Sequence, residues 1–127
     1  MSWTLFDPIT SAIEKVLDLR TRQHAMTVTN LANGDTPGFR ARHVDFGRSL
    51  SNLLSSGGVG GTGSASVDDA MEIELAKAPA WAADGNSVDP QREMAVLTEN
   101  QMLYSASIEV LNRRVGLMRY VVTEGKG

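Results

Sequence analysis

Between Met94 and Val122, apolar or helix-compatible residues recur at alternating spacings of three and four: Met94, Leu97, Gln101, Tyr104, Ile108, Leu111, Val115, Met118, Val122. This is a heptad seam with Gln101 as its one polar member. A second line runs beside it at strict sevenfold spacing: Val96, Leu103, Val110, Leu117. At about 100° per residue, the second line lies on nearly the opposite side of the helix from the first. A helix joining its own core needs one apolar face, and two opposed faces ask for neighbours on both sides. The flanks (Thr98, Asn100, Ser105, Ser107, Asn112) are small or uncharged, unlike the Glu/Lys flanks of a solvated two-stranded coil. The spacing therefore predicts a helix crowded in its working state. Its subunit-packing residues are Leu97, Tyr104, Ile108, Leu111 and Val115 from the first line and all four of the second.

A weaker pattern opens the chain. Asp7-Pro8 reads as a helix start, the carboxylate accepting free amide hydrogens and the proline losing nothing at the first helical position. From there a helix can run to about Asn33. Ile9, Ala12, Ile13, Val16 and Leu17 fall on one arc that Val28 and Leu31 continue, with Ile9, Ile13 and Val16 as packing candidates. Arg20 and His24 interrupt the arc, so this helix is expected to face neighbours that offer hydrogen bonds. His24 reads as a packing residue rather than a ligand or base.

Asn33-Gly34-Asp35-Thr36-Pro37-Gly38 stops the helix. Asn33 or Gly34 can take the left-handed terminating conformation, and Pro37 pushes Thr36 toward extended geometry. Phe39 and Phe46 are the next apolar anchors, and Asp45 can begin a short helix through Leu53 and Leu54. Residues 55–66 (SSGGVGGTGSAS) form a Gly/Ser-rich linker that cannot bury enough surface to offset its ordering entropy. Alternation in Met71-Glu72-Ile73-Glu74-Leu75 suggests a short strand with its apolar side chains on one face. Asp84-Gly85-Asn86-Ser87 is a turn cluster, and Asp89-Pro90 repeats the Asp-Pro helix start.

The expected fold is mainly α: long N- and C-terminal helices packed as an antiparallel coiled-coil-like pair. Residues 1–33 and 89–127 make one discontinuous helical domain around a mostly irregular middle, 34–88, with room for a short β element. Antiparallel pairing would consume one line of the C-terminal helix and leave the other unburied. Four side chains the size of Val or Leu left in water forgo about 6 to 10 kcal/mol of transfer energy. That rivals the stability of a whole domain, so the monomer is expected to be marginal until assembly completes it.

Composition narrows the function. A net charge of −3 supplies no basic field for nucleic acid or anionic lipid. The absence of cysteine removes disulfides, thiolate catalysis and Cys-based metal sites. No apolar run reaches the roughly 20 residues of a membrane span, and the N-terminus has no signal-peptide pattern. His24, His43, Asp35, Asp45, Arg40 and Arg42 show no metal-ligand spacing, and no serine sits in a nucleophile elbow. The run 57–63 lacks the lysine, strand and helix of a phosphate loop. No catalytic, cofactor-binding or metal-binding residue is assigned, and no small-molecule substrate.

The junction Asn30-Leu31-Ala32-Asn33-Gly34-Asp35-Thr36-Pro37-Gly38-Phe39 resembles the N-terminal signature of bacterial flagellar rod and hook proteins, an Asn-x-x-Ala-Asn core followed by Thr-x-Gly-aromatic. Its fuller form is most similar to the proximal-rod branch of that family. Asp84-Gly85-Asn86-Ser87-Val88-Asp89, with Arg92-Glu93-Met94, Asn100-Gln101 and Leu111-Asn112-Arg113 beyond, resembles the family's lead into its C-terminal helix. Two positions depart: Gly34 stands where alanine is usual, weakening the helix end by about 1 kcal/mol, and Phe39 where tyrosine is usual. The resemblance implies a structural subunit of the basal-body rod, working for motility in the periplasm and exported by the flagellar type III apparatus without signal cleavage. The partners it implies are copies of itself, other rod subunits, the adaptor between MS ring and rod, and the export gate. The rival readings are another rod subunit and a cytosolic helical adaptor that offers its second line to one partner helix.

Overall fold

The computed structural model describes residues 3–55 and 66–125, with side chains from residue 8 onward. The order is helix α1 (Trp3–Ala32), strand β1 (Arg42–Val44), helix α2 (Phe46–Leu53), a single turn α3 (Val67–Ala70), strand β2 (Ile73–Leu75) and helix α4 (Pro90–Glu124). Most of the linker, 56–65, lies outside the described residues. The two long helices span about 45 and 52 Å at 1.5 Å per residue. They run antiparallel in the largest contact of the chain: Asn30 meets Glu93, Arg20 meets Asn100, and Ile13 and Val16 lie near Ser107 and Val110.

Local chemistry sets most boundaries. Asp89 caps α4 by accepting from the amides of Gln91 and Arg92, with Pro90 first in the helix. Asp45 caps α2 by accepting from the Arg48 amide. The start of α1 differs from expectation. It begins at Trp3 and runs through Pro8, so Asp7 does not open it. Pro8 lacks the amide that would donate to the Thr4 carbonyl, and its ring crowds that carbonyl, so the disturbance is confined to the opening turns. The end of α1 differs as well. Neither Asn33 nor Gly34 is left-handed, and the positive φ belongs to Gly38, at 72°. The helix instead tightens into a last turn in which the Gly34 amide donates to the Leu31 carbonyl.

The middle is more ordered than its composition suggests. β1 and β2 pair antiparallel, Arg42 opposite Leu75, His43 opposite Glu74 and Val44 opposite Ile73. The small apolar core sits here, Leu19 of α1 against Val44, Leu53 and Ala70, with Met26, Phe46, Leu50 and Met71 packed around it. Leu19 falls off the arc drawn from the sequence, whereas Val28 and His24 on that arc are exposed, so His24 is not a packing residue within this chain. The buried side of α1 runs instead through Leu19, Thr27 and Asn30. The β2 side chains Ile73 and Leu75 face solvent, so the strand exists without a buried apolar face.

Candidate assembly site

The two stretches that carry the family resemblance, about fifty residues apart, meet in one joint. Asn86 is buried and donates from Nδ2 to three carbonyls of the turn after α1: Asn33 at 2.9 Å, Gly34 at 3.0 Å and Thr36 at 2.8 Å. Its Oδ1 accepts from the Val88 amide at 2.7 Å. The Gly38 amide donates to the Asp84 carbonyl, and the Ser87 amide to that of Phe39. Gly38 and Gly85 both have positive φ and approach closely: a side-chain carbon on Gly85 would lie 3.7 Å from the Gly38 Cα. Asn86 thereby binds the turn that follows α1 and ties the exit of that helix to the approach to α4.

A second knot lies one turn deeper. Glu93 is only 1% exposed, and its carboxylate accepts from Asn30 Nδ2 at 3.1 Å and from His43 Nε2 at 2.6 Å. Asn30 also donates to the Arg42 carbonyl and accepts from the Arg42 amide. Asn30, though it lies in the last turn of α1, thus serves as a clamp on β1. Asn33 does act on its own helix, donating to the Thr29 carbonyl and accepting from the Thr36 hydroxyl. Leu31 and Phe39 are half-buried in the joint, and Ala32, Asp35, Thr36 and Pro37 stay exposed.

Along the helix pair, the inward line of α4 alternates two sevenfold sets. Glu93, Asn100, Ser107 and Arg114 are polar; Leu97, Tyr104, Leu111 and Met118 are apolar. Asn100 donates to the Arg20 carbonyl at 2.9 Å and accepts from the Arg20 guanidinium, which lies 3.7 Å above the Phe46 ring. Burial lowers the Arg20 pKa and the nearby Glu99 charge opposes the shift. An arginine remains a cation regardless. The seam drawn from the sequence thus divides. Leu97, Tyr104, Leu111 and Met118 are half-buried against α1, while Met94, Gln101, Val115 and Val122 lie exposed to one side, with Ile108 half-buried among them. The second line lies on the other side: Leu103, Val110 and Leu117 are exposed, the last two by 54% and 64%, and Val96 is half-buried. Both apolar sets stand about 80° from the seam, one on each flank. Pairing with α1 consumes neither fully, because the positions it covers are half polar.

The second flank opens onto a groove of about 270 Å³ between α1, α2 and α4, lined by Ile9, Ile13, Val16, Leu50, Leu54 and Val110. The candidates Ile9, Ile13, Val16 and Val110 therefore come together in space, with Leu50 added by α2 and Leu54 by its C-cap. Leu54 was visible only as the end of the short helix opened by Asp45, and no local pattern marks either leucine as a neighbour of the long helices. Trp81, on the loop before Asn86, is 85% exposed. Among the described residues no group of acidic, His or Cys side chains could hold a metal, and no helix is long and apolar enough to cross a membrane.

Comparison with known proteins fits this arrangement. The chain is 32% identical to the flagellar basal body rod protein FlgB of Yersinia enterocolitica, over 88% of this chain and 91% of that protein. The chain belongs to the FlgB family. The FlgB proteins of Yersinia ruckeri and Salmonella typhimurium are 31% and 28% identical to it over the same shares. No family model matches the chain. In this member of the FlgB family, the two stretches that carry the resemblance are the halves of one hydrogen-bonded joint.

Proposed function

We propose that this chain is a structural subunit of the proximal rod of the flagellar basal body, held by packing and performing no reaction. The observation that carries the reading is the pair of apolar flanks left open on α4. An adaptor for a single helix would need one such flank, whereas a subunit surrounded in a tube needs both. Copies of the chain and other rod subunits would cover them, with the adaptor at the MS ring and the export gate as neighbours at the rod base.

The same reading includes export through the flagellar type III apparatus without cleavage. Only five apolar residues are buried among the described residues, which suits a chain passed unfolded and finished on assembly. The test is Leu103→Glu in a strain that lacks the native subunit. Secretion should persist, while the subunit disappears from detergent-washed basal bodies and motility is lost, because the charge would be buried against a neighbour. Motile cells with Leu103→Glu rods would refute the reading.

A further inference from the structure

We propose that Asn33–Gly34 is a self-modification site, open to deamidation while the chain is unfolded and closed by the α1 joint. The inference stands on the joint alone and does not require the rod reading. Of the six asparagines, Asn33 alone precedes a glycine. Glycine has no side chain to hinder its own amide nitrogen, so that nitrogen can reach the preceding carboxamide. In the reaction the Gly34 nitrogen bonds to Asn33 Cγ, the Cγ–Nδ2 bond breaks, and ammonia leaves with the Gly34 amide proton. Water then opens the five-membered imide. Attack at Cγ leaves an aspartyl group, and attack at the backbone carbonyl leaves an isoaspartyl link through the side chain.

The fold holds every participant away from that path. The nucleophile's N–H is bound to the Leu31 carbonyl at 3.2 Å. The leaving amide donates to the Thr29 carbonyl at 2.8 Å, and its oxygen accepts from the Thr36 hydroxyl at 3.1 Å. Turning the Asn33 peptide toward its side chain would swing its carbonyl off both the Thr36 amide and Asn86 Nδ2. Either product also spoils the joint. An aspartyl group loses the donor to Thr29 and sets a carboxylate beside a carbonyl. An isoaspartyl link lengthens the backbone by one carbon just before the carbonyls that Asn86 gathers.

The full-length chain, held at one mildly alkaline pH in native buffer and in concentrated urea, tests this by peptide mapping with mass spectrometry. In urea, position 33 should convert before the other five asparagines and give both products. The native chain should convert more slowly by on the order of tenfold, since reaction needs local opening. Gly34→Ala should slow the urea reaction by on the order of tenfold, the methyl group shielding the nitrogen. Hydrogen exchange at residues 33–39 should be faster in Asn33→Asp than in Gly34→Ala. Equal rates in the two solvents, earlier conversion of another asparagine, or indifference to Gly34→Ala would overturn the site. Equal exchange in the two variants would overturn its effect on the joint.

Discussion

Asn86 gathers more of the fold than any other single side chain. Its amide donates to three carbonyls of the turn after α1, those of Asn33, Gly34 and Thr36, and its oxygen receives the Val88 amide. Asn86→Ala should cost about 2 to 3 kcal/mol, since the Gly34 carbonyl and Val88 amide lose their side-chain partner and the Asn33 and Thr36 carbonyls lose a second one. Urea unfolding of the purified chain would measure it, and hydrogen exchange would place the loss at residues 33–39. Glu93 is the other such residue. Glu93→Leu keeps an apolar contact with α1 but strands the Asn30 and His43 donors, and should cost about 1 to 3 kcal/mol in the same assay. The types Asn and Glu were visible at these positions in the sequence. Their partners lie about fifty and sixty residues away, and no local pattern names them.

Element boundaries are where the sequence reads best. Asp45 and Asp89 each open a helix because a carboxylate beside free amides is a local interaction that needs nothing from the rest of the chain. Asp45→Ala should therefore cost about 1 kcal/mol and raise hydrogen exchange through Phe46–Leu53 while leaving α4 unchanged. The failures are equally physical. α1 starts before Pro8, since proline disturbs only the turn before it and does not forbid a helix from beginning upstream. β1 escaped notice because three residues hold too little periodicity, and its strand geometry comes from β2, about thirty residues on. On α4, the line facing α1 is half polar because α1 offers Arg20 and Asn30 as partners. A hydrophobicity pattern cannot register such pairs. Polar residues recurring on a seam are known to fix the register of paired helices.

At the scale of the whole molecule, a small core and a polar-rich seam support two long helices with open apolar flanks. Mass action then ties stability to concentration if copies cover those flanks. The melting temperature of the purified chain should rise as concentration increases, and Leu117→Glu should abolish the rise while leaving the dilute midpoint unchanged. Differential scanning calorimetry across a concentration series reads both. A melting temperature independent of concentration would mean that copies of the chain do not cover these flanks.

By itself, the sequence determined the two long helices, the caps at Asp45 and Asp89, the apolar lines along α4 and the family resemblance. These depend on spacing and on neighbours within a few residues. Tertiary structure alone decided which positions face inward, that Asn86 and Glu93 tie the two ends together, and that the middle segment supplies the core. Each of those rests on contacts between residues tens of positions apart, where burial and hydrogen-bond pairing outweigh local preference.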